Sequence, residues 1–332
     1  TNEDLDLAAI IVTPTTGLVT DESGAADTFV IRLANQPSAP VTIPIQSNNT
    51  VEGTVDATEV VLDATNWNDG VTVTVTGVDD DVIDGNVFFA VLTGDPTSSD
   101  ANYAALDDGD ASDVLVTNLD LDSAAIHVSA ISGNTREDGT TATFTISLAT
   151  LPAAPVTIPL NSSDGGEGTV PADVQLDSSN WDTGVTVTVT GIDDDLIDGD
   201  ITYTVVTGDP TSSDGNYDAL VAGDVVDVSV VNEDLDTAAV HVTAISGNTK
   251  EDGTTASFIV TLSSQPAAAV TIPLSSSDTS EGTVPTDVQL DSTNWDTGVT
   301  VNVTGVDDDA IDGDITYTIE TGDPTSSDGN YD

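Results

Sequence analysis

The stretch NWDTGVTVTVTGIDDDLIDGD, residues 180–200, decides the fold. In its first half Val185, Val187 and Val189 are separated by Thr186, Thr188 and Thr190. Successive side chains of a strand point to opposite faces, so this run puts valines on one face and hydroxyls on the other. Working outward, Phe144, Ile146 and Leu148 alternate with Thr143, Thr145 and Ser147, and Val156, Ile158 and Leu160 alternate with Thr157 and Pro159. Such runs predict seven strands, at about 125–131, 141–149, 156–162, 173–177, 184–192, 201–207 and 224–232. Gly133, Gly139, Gly165-Gly166, Asp198-Gly199 and Gly208 punctuate them as turn residues. No segment of useful length has a period of 3.6, so helices are not expected. Pro159 has no N–H to give a ladder, so its strand is expected to be an edge or to bulge there, as at Pro44 and Pro273.

The pattern recurs along the chain. Trp67, Trp181 and Trp295 are 114 residues apart, and so are the acidic triplets opening at Asp79, Asp193 and Asp307. TGDPTSSDANY (93–103) returns as TGDPTSSDGNY at 207–217 and 321–331. NEDLD occupies 2–6 and 232–236, with NLDLD at 118–122, so the first interval is 116. Its two extra residues are assigned to the stretch around Thr13–Gly24. Seven short strands per repeat predict an all-β chain: tandem seven-stranded antiparallel sandwiches of immunoglobulin-like type, arranged as an extended rod. The expected domains are 1–120, 121–234 and 235–332. Asp332 aligns with Asp218, so the third repeat is expected to lack its last strand and the chain to be a stretch of a longer array.

Composition removes most functional classes. The 332 residues include 59 Asp+Glu and 3 Lys+Arg, a formal net charge of -56. The three basic residues are Arg32, Arg136 and Lys250, so no basic patch exists for nucleic acid or anionic lipid. No apolar run approaches the roughly 20 residues of a membrane helix, so no direct membrane insertion is expected. No signal peptide opens the sequence, which reads as a mature chain or a fragment. Val, Ile, Leu and Phe make up 86 of the 332 residues, above the roughly 20% below which highly charged chains stay disordered. A core is therefore affordable only if something answers the charge, and a cation is the obvious candidate. The absence of Cys and Met fits an exported chain that avoids redox chemistry.

The carboxylates are clustered. DDDVIDGN (79–86), DDDLIDGD (193–200) and DDDAIDGD (307–314) join the fifth and sixth strands. The turn before strand two carries Asp21-Glu22, Glu137-Asp138 and Glu251-Asp252. The loop after strand three carries Asp164 and Glu167, or Asp278 and Glu281, with Glu52 in repeat one. Alternate strand ends of a sandwich share a pole, so these loops and the NEDLD turn are expected to converge where one domain meets the next. Hard oxygen ligands in such number suit Ca²⁺, which takes roughly 6–8 of them. DDDLIDGD lacks the third acidic ligand and distal Glu of an EF-hand loop, and the glycine-rich nonapeptide of β-rolls is absent.

With its Glu-Asp-Gly turn, its NWxxGVTVTVTGxDDDxxDGD core and its terminal NEDLD, the repeat resembles the Calx-β domain and its relatives. Those relatives recur in tandem in very large secreted and surface proteins of bacteria. The resemblance implies several Ca²⁺ ions per chain, mainly at inter-domain junctions. Their ligands would lie at Glu137, Asp164, Asp193, Asp194, Asp195, Asp198, Asp234 and Asp236 in repeat two. The counterparts are Glu22, Asp79, Asp80, Asp81, Asp84, Asp120 and Asp122 in repeat one, and Glu251, Asp278, Asp307, Asp308, Asp309 and Asp312 in repeat three. Repeat one has Asn49 and Asn86 where repeat two has Asp164 and Asp200.

Other features read as structure. Each Trp precedes strand five and is expected to cap the core. GDPTSSD reads as turn chemistry, with side chains bonding local backbone. His127 and His241 are expected to face outward. A nucleophile–base pair or open metal site is not apparent among two His, three basic residues and no Cys. The expected function is thus a non-enzymatic, calcium-rigidified extracellular stalk or fibre of a bacterial surface filament or giant adhesin. Its partners would be neighbouring repeats of the same long chain and other copies in a fibre. The rival readings are an adhesive module that itself recognises glycan or protein, and a repeat-bearing extracellular hydrolase region.

Overall fold

A computed structural model describes residues 6–307, 309, 311 and 313–332. The alternating runs form strands, and their apolar faces meet as the inner faces of two sheets. Around the second tryptophan, one sheet runs Ile126–Val128, Thr141–Leu148, Val185–Gly191, Gly168–Thr169. The other runs Thr135–Arg136, Val228–Glu233, Ile201–Thr207, Val156–Ser162, Asp173–Leu176, with Thr211–Ser212 added on Val156–Ser162. Phe144, Ile146, Val187 and Val189 from the first sheet pack on Val156, Ile158, Tyr203, Val205 and Val230 from the second. Each fully buried aliphatic or aromatic side chain contributes roughly 1.5–3 kcal/mol, so the threonine–valine alternation determines which face turns inward. Equivalent cores form around Phe29 and Ile43, and around Phe258 and Ile272. Trp67, Trp181 and Trp295 are partly buried against these three cores, as caps.

The expected strand 125–131 ends at Val128. Beyond it the hydroxyls of Ser129 and Ser132 accept the N–H groups of Thr145 and Thr143, standing in for the ladder as the chain peels away. It then crosses to the other sheet, where Thr135–Arg136 pairs parallel with Asn232 and Glu233. Leu18–Asp21 does the same against Val116–Leu119. The sandwiches are therefore antiparallel except at this one short strand.

Pro159 does not lie on an edge strand. Val156–Ser162 pairs with Asp173–Leu176 over its first half and with Ile201–Thr207 over its second. The proline sits opposite the break between Ile201–Thr207 and Thr211–Ser212, where a Cβ on Gly208 would come within 3.0 Å of its ring. The bulged alternative holds, because the ladder is interrupted where the missing N–H falls.

Register also relocates the extra residues of the first repeat. Val12 and Val128 face Ile31 and Ile146, whereas Asp21 and Arg136 face Leu119 and Glu233. One extra residue therefore lies between Val12 and Asp21. Gly53 and Gly168 hold equivalent places, as do Glu59 and Asp173, so the other lies between Gly53 and Glu59. A loop absorbs it without changing which side chains face inward. In the third unit the second sheet has three strands among the described residues, Asp287–Leu290, Val270–Ser276 and Ile319–Thr321.

Candidate metal centre

Two carboxylate clusters form at one pole of the first sandwich, and both are repeated on the second. The first holds Glu22, Asp79 and Asp122, and again Glu137, Asp193 and Asp236, with one oxygen from each residue within 4.8 Å of the others. Glu22 follows strand Leu18–Asp21, and its buried carboxylate accepts the N–H of Leu121 at 2.6 Å. That bond draws the connecting segment 120–122 onto the pole. Asp120 Oδ1 accepts the N–H of Asp122, and Asp120 Oδ2 accepts the N–H of Gly85, so the same segment grips the acidic loop. Glu137, Leu235, Asp234, Asp236 and Gly199 repeat the arrangement.

The second cluster holds Glu52, Asp80 and Asp84, and again Glu167, Asp194 and Asp198. Its glutamate is anchored from inside. Asn118, 1% exposed, donates from Nδ2 to Glu52 Oε2 and to the carbonyl of Val78. Asn232 does the same for Glu167 and Ile192. Gly191 opens the acidic loop because a Cβ there would lie 2.1 Å from the Arg136 carbonyl and 2.5 Å from Asn232 Oδ1. The triplet then turns on its third aspartate, with φ of 59° at Asp81, 62° at Asp195 and 58° at Asp309. Aspartate tolerates this left-handed region better than most residues, which fits it to the corner.

The two asparagines differ in one bond. Thr20 donates its hydroxyl to Asn118 Oδ1. The equivalent Thr135 instead donates its hydroxyl to the Val231 carbonyl and bonds the phenol of Tyr203, which stands where the first unit has Phe89. Asn232 Oδ1 is left buried and unpartnered.

Each cluster crowds charge of one sign. Two unit charges about 4–5 Å apart repel by roughly 1 kcal/mol in water and roughly 3–4 kcal/mol at an effective dielectric of 20. Three such pairs rival the roughly 5–15 kcal/mol that holds a domain together. Burial and this crowding favour the protonated carboxyls. Burial, then the charges of Asp234, Asp236 and Asp194, push Glu137 up to about 7 against the N–H of Leu235. Burial, then Asp193 and its neighbours, push Asp236 up to about 6. Glu22, Glu52, Asp84, Asp122, Glu167 and Asp198 are raised with burial as the first cause and neighbouring aspartates adding to it. Oδ2 of Asp122 and of Asp236 is buried with no hydrogen-bond partner. All-oxygen donor sets, crowded carboxylates and orphaned oxygens fit a hard divalent cation, which would replace the protons.

Of the residues expected as ligands, the structure brings together Glu22, Asp79, Asp80, Asp84, Asp122, Glu137, Asp193, Asp194, Asp198 and Asp236. Asp120 and Asp234 bond the acidic loop's backbone instead of joining either group. Asp81 and Asp195 expose their carboxylates. Asp164 is exposed and accepts the N–H of Gly166. Asp278 is held by Ser280, whose hydroxyl keeps its carboxyl below the usual range. Glu251, Asp307 and Asp309 are exposed, and Asp308 and Asp312 lie outside the described residues. Glu52 and Glu167 were absent from the expected ligands. The recurrence of Glu-Gly-Thr-Val at 52–55, 167–170 and 281–284 was the available signal.

Elsewhere the side chains are structural. Tyr217 donates to the Thr150 carbonyl, and Asp214 accepts the N–H groups of Ala153 and Asn216, so GDPTSSD is turn chemistry. His127 and His241 are exposed on their strands. A cavity of about 100 Å³ between the first and second units and an open groove of about 290 Å³ beside Val226 both fall below the roughly 300–1,000 Å³ of ligand pockets.

No protein-family model matches the sequence, and no curated protein matches it. Among solved structures the chain is similar to CBD12 from CALX1.2, at 9% identity and a TM-score of 0.28, over 68% of this chain and 99% of that one. The calcium binding domain CBD12 of CALX1.1 follows at 14% identity and a TM-score of 0.26, over 60% and 80%. Domains 5–6 of the S-layer protein SbsC align at 16% identity and a TM-score of 0.19, over 70% and 99%. These values carry no functional argument. The chain is an all-β protein of tandem immunoglobulin-like sandwiches on its own sheet order, and no helix among the described residues is long and apolar enough to cross a membrane.

Proposed function

We propose that the paired clusters bind Ca²⁺ and that the chain is a non-enzymatic, calcium-stiffened stalk of Calx-β-like repeats in an extracellular bacterial filament or adhesin. The observation that carries this reading is the place of Asp122 and Asp236. Each belongs to a segment connecting consecutive sandwiches, yet each completes a cluster with a glutamate and an aspartate of the preceding unit. An ion held there ties the connection to the unit before it. Ca²⁺ is chosen over Mg²⁺ because it accepts several carboxylates in flexible geometry, whereas Mg²⁺ demands near-ideal octahedral geometry and keeps its waters. Millimolar Ca²⁺ outside cells would keep such sites filled. The neighbouring repeats of the same chain are then its first partners. Equilibrium dialysis of the metal-stripped chain tests this: at least four Ca²⁺ per chain are expected, one for each described cluster. Uptake of fewer than two, or equal uptake of Mg²⁺ at equal concentration, refutes the reading.

A further inference from the structure

The outer face of the second sheet differs between units that share a fold. In the first unit that sheet runs Leu18–Asp21, Val114–Leu119, Val87–Thr93, Val41–Ser47, Glu59–Leu62. Phe89, Val91, Val114 and Val116 point into the core, so the residues between them point out. Register sets Val19, Thr117 and Phe88 in one row across three strands, Leu115 beside Ala90 in the next, and Leu92 beside Gln46 beyond. Phe88 is 79% exposed, Leu115 53% and Val19 45%. Scattered exposed apolar residues need no explanation, but contiguous ones mark a contact surface.

The other units do without this face. The second has Asn134, Thr202, Thr204 and Ser229 at the places of Val19, Phe88, Ala90 and Leu115, and keeps only Val206 and Val231. The third has Thr316, Thr318 and Glu320 along the strand of Phe88. Folding therefore makes no demand for an aromatic there, since the second sandwich forms with threonine.

Shape and charge both point to a second copy of this chain. Phe88 stands proud, while Ala90, two residues along the same strand, is 9% exposed and low between Phe88, Leu92 and Leu115. A knob beside a hollow on one surface is self-complementary: about a two-fold axis, each Phe88 enters the hollow over the other copy's Ala90. None of the six positions Val19, Phe88, Ala90, Leu92, Leu115 and Thr117 is charged, in a chain with 59 Asp+Glu. Asp21, Asp27, Glu59 and Asp113 stand only at the margins. A basic partner would find nothing to pair with at the centre, whereas a second copy brings an equally uncharged one. At about 4.8 Å per strand and about 3.3 Å per residue, the face measures roughly 20 by 20 Å. Mutual cover then buries on the order of 1,000 Å² in total, the size of a weak but specific interface.

We propose that this outer face of the first unit packs on the same face of a second copy, joining two chains side by side. The lateral role of the contact rests on the filament reading above and names the surface through which copies meet. The contact itself is independent of the ions, because none of the six positions belongs to a carboxylate cluster.

The test is sedimentation equilibrium of the full chain up to about 500 µM, in Ca²⁺ and in chelator, at low and high NaCl. A monomer–dimer equilibrium with a Kd of roughly 10–100 µM is expected in both. Salt screens the acidic margins, so 1 M NaCl should tighten it at least threefold. The variant F88T/A90T/L115S carries the second unit's own residues and is expected to weaken dimerisation at least tenfold. Should it fold poorly, the reciprocal graft T202F/T204A/S229L gives the second unit the same face and should produce species larger than dimers. A wild type that stays monomeric at high salt overturns the proposal and leaves the face to a different protein. So does a triple variant that dimerises as the wild type does, or a dimer that loosens with salt. Association only in Ca²⁺ would place the contact at the acidic poles and likewise overturn it. Calcium uptake by a chain that stays monomeric would sink this contact alone and leave the ion reading standing.

Discussion

Acidifying the metal-free chain should stabilise it, against the usual behaviour of acidic proteins. Glu137 has an ordinary value of 4.5 and is pushed up to about 7 in the folded chain by burial first and by Asp234, Asp236 and Asp194 after that. The folded state therefore binds a proton that the unfolded state has released. Its stabilising effect is complete below about pH 4.5 and is lost as pH rises through about 7. At 1.36 kcal/mol per unit, Glu137 alone makes the metal-free fold about 2.5 kcal/mol more stable at pH 5 than at pH 8. Asp236, raised to about 6 in the same cluster, acts in the same direction. The opposing group consists of carboxyls held low by hydrogen bonds to hydroxyls and N–H groups, such as Asp63, Asp138 and Asp177. Their contribution is lost only as pH falls below about 4, outside the window. For a unit of this size that corresponds to a melting-temperature rise of roughly 10 °C. The assay is calorimetric melting of chain stripped of metal beforehand, at pH 5, 6, 7 and 8. With saturating Ca²⁺ the slope should reverse, because the ligands must then be deprotonated. A metal-free melting temperature that is flat or rises from pH 5 to pH 8 would refute the account of these clusters.

Two of the buried tyrosines, Tyr203 and Tyr217, should respond differently to the same substitution. Tyr217→Phe strands the backbone and hydroxyl of Thr150, which make three bonds to the phenol, and should cost roughly 1–3 kcal/mol in urea unfolding. Tyr203→Phe leaves the Thr135 hydroxyl its bond to the Val231 carbonyl, and should change stability by less than about 1 kcal/mol. Equal losses would contradict the difference between three bonds to the Tyr217 phenol and one to that of Tyr203. Asn118→Ala should cost about 1 kcal/mol more than Asn232→Ala, because only Asn118 uses its oxygen. Denaturant midpoints of the two variants decide it.

The sandwich was legible because the run 185–190 has the strand period and no other. What escaped was short or non-periodic. Thr135–Arg136 is two residues long, too short to show a period, and its parallel pairing is set by hydroxyl substitutions in the preceding turn. The extra residue between Gly53 and Glu59 sits in a loop, where a one-residue change leaves both flanking patterns intact. At the poles, the triplets and the NEDLD turns announced themselves by repetition and charge. Glu52 and Glu167 recurred too, but their place in the ligand set did not show, since an asparagine some 65 residues away holds each of them. The backbone carbonyls that Asp81 and Asp195 turn to the N–H groups of Leu151 and Gln265 were invisible for a related reason: a left-handed aspartate looks in sequence like one more ligand.

The central claim is that a divalent cation, and not a proton or a partner, answers the charge at each junction. A ligand that binds only the folded state stabilises by about 2.7 kcal/mol per site at a hundredfold excess over its Kd. Thermal unfolding at pH 7.5 of the same preparation, in 5 mM Ca²⁺ and after chelation, measures that directly. The account predicts a melting temperature at least 10 °C higher with Ca²⁺, rising further as Ca²⁺ is increased. Superimposable melts with and without the ion would contradict it.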